Sequence, residues 1–171
     1  MEPVLSRDAR TGEIRAQVAV EADAAAVDAA VRAAQATLDT LADRPRRAAL
    51  LRAAADAVES RATDLVAAAD AETALGLPRL TGELARVAYQ FRFFADIVDD
   101  GAFLGVVIDP PDPSAVPPRP ELRRWKVPIG TVAVFAASNF PFAFSVPGGD
   151  RSEEQRLNSS HQHRSRMPSS A

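Results

Sequence analysis

Three observations place this chain in the α/β class. Between residues 23 and 100, Ala-rich segments repeat apolar residues at helical spacing; six prolines within residues 109–120 then interrupt the pattern. Beyond them Thr131 to Ala136 is nearly all apolar, as in a parallel strand covered on both faces. Together these predict a helical layer, a rigid connection and the first strand of an open sheet.

In chain order, Thr11-Gly12-Glu13 reads as a turn, and Ile14, Ala16, Val18 and Val20 alternate with Arg15, Gln17 and Ala19 as in a half-buried strand. Asp23 is placed to cap a helix whose Val27, Ala30, Val31, Ala34, Leu38 and Leu41 share one face. Pro45 sits just inside the next helix, where its missing N–H costs nothing. Ala49, Leu50, Ala53, Ala54, Ala57 and Val58 are expected to continue the stripe, and a segment from Thr63 carries Val66 and Ala69 until Gly76 and Pro78 stop it. Thr81 is expected to open a long helix with Leu84, Ala88, Phe91, Ala95 and Val98 inward and Gly101 at its end. The alanine content suits close helix packing. Arg44 to Arg47 holds three charges without an aromatic or a wider basic patch, the pattern of solvated surface.

The six prolines of 109–120 prevent helix or central strand and leave an extended, polyproline-like connection. Arg123, Arg124, Trp125, Lys126 and Val127 read as an edge strand, with Trp125 either an interface anchor or a core residue.

Composition narrows the function. Residues 1–150 carry 16 Lys and Arg against 21 Asp and Glu, a net −5, which argues against nucleic acid as a partner. With no Cys, a disulfide framework and a Cys-based metal site are excluded, and no metal is expected. No apolar run reaches the roughly 20 residues of a membrane span, and no charged n-region with an apolar core opens the chain, so the expected location is cytoplasmic.

The most informative stretch is Val127-Pro-Ile-Gly-Thr-Val-Ala-Val-Phe-Ala-Ala-Ser-Asn-Phe-Pro141. It reads as a buried strand entering a tight loop, with Asn139 fixed between a small residue and a Phe-Pro pair. Ligands of open α/β sheets bind beyond the carboxyl ends of the strands, which puts Phe135, Ala136, Ala137, Ser138 and Asn139 at a binding mouth. An amide held there can donate its N–H to an oxygen that becomes negative during acyl chemistry. Asn139 is therefore the candidate catalytic residue. Gly148-Gly149 lacks the spacing of a dinucleotide fingerprint and reads as loop.

The Pro-x-Gly…Asn-Phe-Pro pattern of this stretch resembles the aldehyde dehydrogenase superfamily. Ser138 to Val146 followed by Gly148-Gly149-Asp150 is most similar to its NADP-preferring α-ketoglutarate-semialdehyde and fatty-aldehyde branch. The resemblance implies that Phe135 to Asn139 line the NAD(P) path, with Asn139 beside the thioester carbonyl. It also implies a small-molecule aldehyde substrate, NADP or NAD as cofactor, and a homo-oligomer built through a β-arm at 109–128. The implied fold is the N-terminal part of an aldehyde dehydrogenase, with a helical layer, the β-arm and the first strand of a Rossmann-like sheet.

The resemblance covers residues 1–150, expected to be the N-terminal portion of the NAD(P)-binding domain, and breaks off there. The family's Cys nucleophile and Glu base are not matched, so the chain alone is expected to be inactive and to bind no cofactor tightly. Residues 151–171 are Ser- and Arg-rich, hold both histidines and lack either hydrophobic period. Arg151-Ser-Glu-Glu, Leu157-Asn-Ser-Ser-His161 and Arg166-Met-Pro-Ser-Ser-Ala171 resemble a translated sequencing-library adapter, so a non-native, disordered tail is expected. The competing reading, an Ala-rich helical interaction module without catalysis, gives no reason for the segment from Thr131 to Pro141.

Overall fold

The computed structural model describes residues 2–134 and 139–144 of the chain. An antiparallel ribbon comes first: β1 (Pro3–Arg7) pairs with β2 (Ile14–Val20), from Pro3 opposite Val20 to Arg7 opposite Ile14. The Asp8 carboxylate closes the turn by accepting the N–H groups of Arg10 and Thr11 at 2.8 and 3.0 Å, bonds that hold its carboxyl below its usual range. The sequence pattern does not reveal β1, because only Val4 and Leu5 in it are apolar. It does reveal β2 but overstates its burial. All seven residues of β2 are exposed, since a two-stranded ribbon leaves both faces open unless another element lies on one.

Helix α1 (Ala24–Gln35) starts as expected, with the Asp23 carboxylate accepting the Ala26 N–H at 2.8 Å. The stripe does not run on to Leu41 in one helix. The Thr37 hydroxyl donates back to the Ala34 carbonyl at 2.7 Å, the chain leaves the helix there, and α2 (Leu38–Ala42) follows as a separate turn. No residue of α1 or α2 is buried.

The core lies among three helices. Helix α3 (Arg44–Ser60) is capped by Asp43 and carries Pro45 in its first turn; α4 is Ala62–Thr73 and α5 is Leu77–Asp100. Ala55, Val87, Ala88 and Phe91 form one cluster between α3 and α5, and Val66, Ala69, Leu80 and Leu84 form a second between α4 and α5. Val66 and Ala69 point inward as expected. The inward face of α3 is as expected at Ala54 and Val58, which pack against the core, and differs elsewhere: Ala48 and Ala55 are buried and Leu51 partly so, whereas Ala49, Leu50, Ala53 and Ala57 are exposed. So many positions there are alanine that hydrophobicity alone cannot fix the rotation of the helix; the face of α5 chooses it.

Gly76 and Pro78 open α5 instead of ending α4, so this helix starts four residues before Thr81. The true end of α4 is Ala74, in the left-handed region at φ 56°, with its N–H returned to the Asp70 carbonyl. Asp70 also accepts the Gly76 N–H at 2.9 Å and the Arg10 guanidinium at 3.0 Å, which ties the ribbon turn to the α4–α5 corner. Gly101 ends α5 as expected, at φ 77°, and an added Cβ would lie 1.8 Å from Arg44 Nη1. Arg44 thus packs over the helix end. Arg47 donates to the Leu41 carbonyl and lies over the Phe103 ring, so two of the three arginines at this helix start are engaged in packing beyond simple solvation.

Two reciprocal bridges staple α3 to α5. Arg52 reaches Asp96 and Asp99 at 2.7 and 2.8 Å, and Arg92 reaches Asp56 and Glu59 at 2.7 Å each. All are largely exposed, so each orients the helices more than it stabilises them. The Arg92 hydrogen bonds hold the Glu59 carboxyl below its ordinary 4.5.

Beyond the single turn Ala102–Leu104, β3 (Val107–Asp109) pairs antiparallel with β4 (Leu122–Arg124). The proline segment between them turns back as a hairpin in place of the expected extended connection, closed by Asp112 and Arg119, whose N–H and carbonyl groups exchange bonds at 2.9 Å. The prolines occupy positions where no ladder donor is needed, and the residues that pair are not proline. The edge strand stops at Arg124, short of the expected Val127, and Trp125 is 57% exposed, so it is not a core residue of this structure. Residues 131–134 form no strand. A strand needs a neighbour to complete its hydrogen bonds, and the described strands pair only as β1 with β2 and β3 with β4.

Three outcomes follow. Leu84→Ala, a 4% exposed side chain in the second cluster, should lower unfolding stability by about 2–5 kcal/mol in denaturant titration followed by circular dichroism. Ala74→Gly should raise it by about 1 kcal/mol, relieving a left-handed alanine. Because the Glu59 carboxyl is depressed by Arg92, its contribution is present above pH 4.5 and is lost as the pH falls through its lower folded value. Glu59→Gln should therefore lower the melting temperature by more at pH 6 than at pH 3.

Candidate active site

The described part of the candidate loop, residues 139–144, lies on the N-terminal half of α5. Phe140 begins a single helical turn, its carbonyl accepting the Phe144 N–H at 3.3 Å. Pro141 follows, the residue type best suited to the first position of such a turn. Phe142 then packs against both core clusters, and Ala143 is 2% exposed. The loop is therefore the closing piece of the core, wedged where α3, α4 and α5 meet.

Two side chains of α5 hold it. Glu83, only 8% exposed, accepts the backbone N–H groups of Phe142 and Ala143 with Oε2, each at 3.4 Å. Its other oxygen accepts Arg79 Nε at 3.0 Å, one helical turn away. Arg79 in turn donates Nη2 to the Asn139 carbonyl at 2.6 Å and lies over the Phe140 ring at 4.7 Å. Arg86 lies over the Phe144 ring at 5.7 Å, and the Phe140 and Phe144 rings are 4.6 Å apart.

Asn139 is thus gripped through its main chain while the residue itself is exposed. Its side-chain amide makes no hydrogen bond among the described residues. An amide whose main chain is fixed and whose residue is exposed is suited to donate to a ligand oxygen. Of the other residues predicted to line the mouth, Phe135, Ala136, Ala137 and Ser138 lie outside the described residues. Asn139 is the one predicted site residue whose surroundings the structure gives.

Sequence reasoning missed Arg79 and Glu83. A signal was available: Glu83 stands beside Leu84 and one turn after Leu80, a carboxylate inside an apolar stripe, with Arg79 four residues before it. Buried charges are rare unless paired, so that position called for a partner. The partner amides, however, come from a segment about 60 residues away. Among the described residues no group of His, Cys, Asp or Glu is arranged to hold a metal ion, and no helix is long and apolar enough to cross a membrane.

A model of the aldehyde dehydrogenase family matches residues 2–147, which includes this loop and stops before the Ser- and Arg-rich segment at 151–171. Over 136 residues the chain is 46% identical to alpha-ketoglutaric semialdehyde dehydrogenase 2 of Azospirillum brasilense, covering 78% of this chain and 25% of that protein. Over 106 residues it is 46% identical to alpha-ketoglutaric semialdehyde dehydrogenase of Acinetobacter baylyi, covering 61% of this chain and 20% of that one. The chain thus spans about a quarter of the length of these relatives or less.

The anchoring predicts an exchange pattern. In Glu83→Ala the amide hydrogens of Phe142 and Ala143 should lose protection, measured by hydrogen exchange, while those in the C-terminal half of α5 keep it. Unchanged protection at Phe142 and Ala143 would contradict the anchoring role.

Proposed function

The chain belongs to the aldehyde dehydrogenase family, and we propose that residues 1–150 form the N-terminal portion of the NAD(P)-binding domain of an enzyme that oxidises α-ketoglutarate semialdehyde to the dicarboxylate. The observation that carries the reading is Asn139, held by its carbonyl and presenting a side-chain amide with no other described partner. The names of the two relatives support the semialdehyde over the fatty aldehyde that the loop sequence also resembles.

In this reading a thiolate attacks the aldehyde carbon, and the carbonyl oxygen gathers negative charge as the tetrahedral adduct forms. The Asn139 amide donates to that oxygen. One such preorganised donor is worth roughly 2.7–4 kcal/mol of barrier, because it is aimed at charge present only in the transition state. The chain contains no Cys, so the thiolate is not supplied by these 171 residues.

NADP+, or NAD+, accepts the hydride when it is bound. Phe135, Ala136, Ala137 and Ser138 are proposed to line its path with Asn139, but a single described amide is not a dinucleotide cradle. The contribution derived for this chain is therefore confined to the acyl oxygen. We assign residues 109–128 to the arm through which the enzyme forms a homo-oligomer; the exposed Trp125 on that hairpin supports this. A cytoplasmic location and a non-native tail at 151–171 complete the proposal.

Two measurements test it. The purified 171-residue chain should reduce no NADP+ with any aldehyde, and turnover above a buffer blank would defeat the reading. In the full-length dehydrogenase carrying this segment, Asn139→Ala should lower kcat by roughly 10²–10³ while leaving cofactor affinity and melting temperature nearly unchanged. A large fall in melting temperature together with lost cofactor binding would show instead that Asn139 serves only to fix the turn.

A further inference from the structure

The turn at 140–144 raises a hydrogen-bond question that the structure answers in an unusual way. The first N–H groups of any helical turn have no partner within it, and a side-chain oxygen at the capping position ordinarily takes them. Here the capping residue is Phe140, which has no such oxygen, and Pro141 has no N–H to satisfy. The Phe142 and Ala143 N–H groups remain, and Ala143 is 2% exposed, out of reach of water. Both are taken by Glu83 Oε2, from a helix about 60 residues earlier in the chain.

The carboxylate is well placed for this task. Leu80 and Leu84, on either side of it along α5, are 0% and 4% exposed in the second cluster, so Glu83 rides on a rigid stretch of helix. Burying it is tolerable because its two oxygens receive three donors: two amides and Arg79 Nε. Arg79 then carries the same link to the residue just before the turn, at the Asn139 carbonyl. The backbone on the C-terminal side of the Asn139 side chain is thereby tied to α5 at three points, residues 139, 142 and 143.

From this geometry we infer that Glu83 and Arg79 are positioning residues for the Asn139 amide, acting as a cap supplied from α5 that sets where the oxyanion donor points. The inference rests on the proposed role of Asn139. A preorganised donor is effective only when it is held within about 0.5 Å of the productive geometry by its supporting residues. Displacing a reacting or stabilising group by about 1 Å costs as much as 10²-fold in rate. Loosening the cap should therefore be felt in kcat and not in substrate or cofactor affinity.

The test is a double-mutant cycle in the full-length dehydrogenase carrying this segment. Glu83→Ala and Arg79→Ala should each lower kcat by about 10- to 100-fold with KM for aldehyde and cofactor nearly unchanged. Glu83→Gln keeps an acceptor oxygen for the two amides and should restore most of the loss. In an Asn139→Ala background, neither alanine change should lower kcat much further, because the group they position is gone. If Asn139→Ala lowers kcat and the folded Glu83→Ala and Arg79→Ala enzymes match the native rate, the positioning role is wrong while the oxyanion role stands. Full additivity with Asn139→Ala would also overturn it. If Asn139→Ala itself leaves kcat unchanged, the proposed function of that residue fails and this inference with it. Should Glu83→Ala not fold, Arg79→Ala decides the matter, since that side chain is 41% exposed and lies outside the core.

Discussion

The inward stripe of α5 is the constraint on which the rest of the molecule depends. Leu80, Leu84, Val87, Ala88, Phe91 and Ala95 recur at three- and four-residue intervals along one face, and both hydrophobic clusters are built on it. Alanine at Ala48, Ala55, Ala88 and Ala95 keeps the surface between α3 and α5 low, so the two backbones approach closely and the long side chains fill the ends. The ion pairs of Arg52 and Arg92 lie along the rim of this contact and fix how one helix is laid on the other.

The same stripe carries the candidate site. Glu83 interrupts the apolar face where the loop at 139–144 comes down on it, and Phe142 enters the core at that place. Packing and polar anchoring therefore reinforce each other. Phe142 brings the turn within reach of the carboxylate, and the carboxylate satisfies the amides that burial would otherwise strand. An apolar residue at position 83 would fill the space and leave the Ala143 N–H unpaired, the more costly of the two defects.

The outer elements stand differently toward this core. The ribbon of β1 and β2 is joined to α4 by polar contacts at its turn, through Arg10 with Asp70 and Ser6 with Glu72, while Ile14, Val18 and Val20 remain exposed. The arm of β3 and β4 likewise leaves Ile108 and Leu122 open, and Trp125 just after it. The apolar faces of these elements are not used by the core that the helices complete.

The sequence by itself determined that residues 23–100 are helical, the caps at Asp23 and Gly101, the inward side of α5 and the break at the proline segment. These are local matters of spacing, capping chemistry and backbone freedom, readable within a few residues of one another. It could not set the rotation of α3, where alanine at six of 17 positions spreads apolar residues over more than one face. Nor could it show that the alternating strand would be exposed, because burial depends on what lies across it. That Pro78 opens a helix instead of ending one was undecidable from the Gly-Leu-Pro signal alone, since proline suits both places. Only the tertiary structure joined Glu83 and Arg79 to the loop about 60 residues away: a hydrogen bond between distant segments leaves no periodicity in either, only a charge standing where the helix should be apolar.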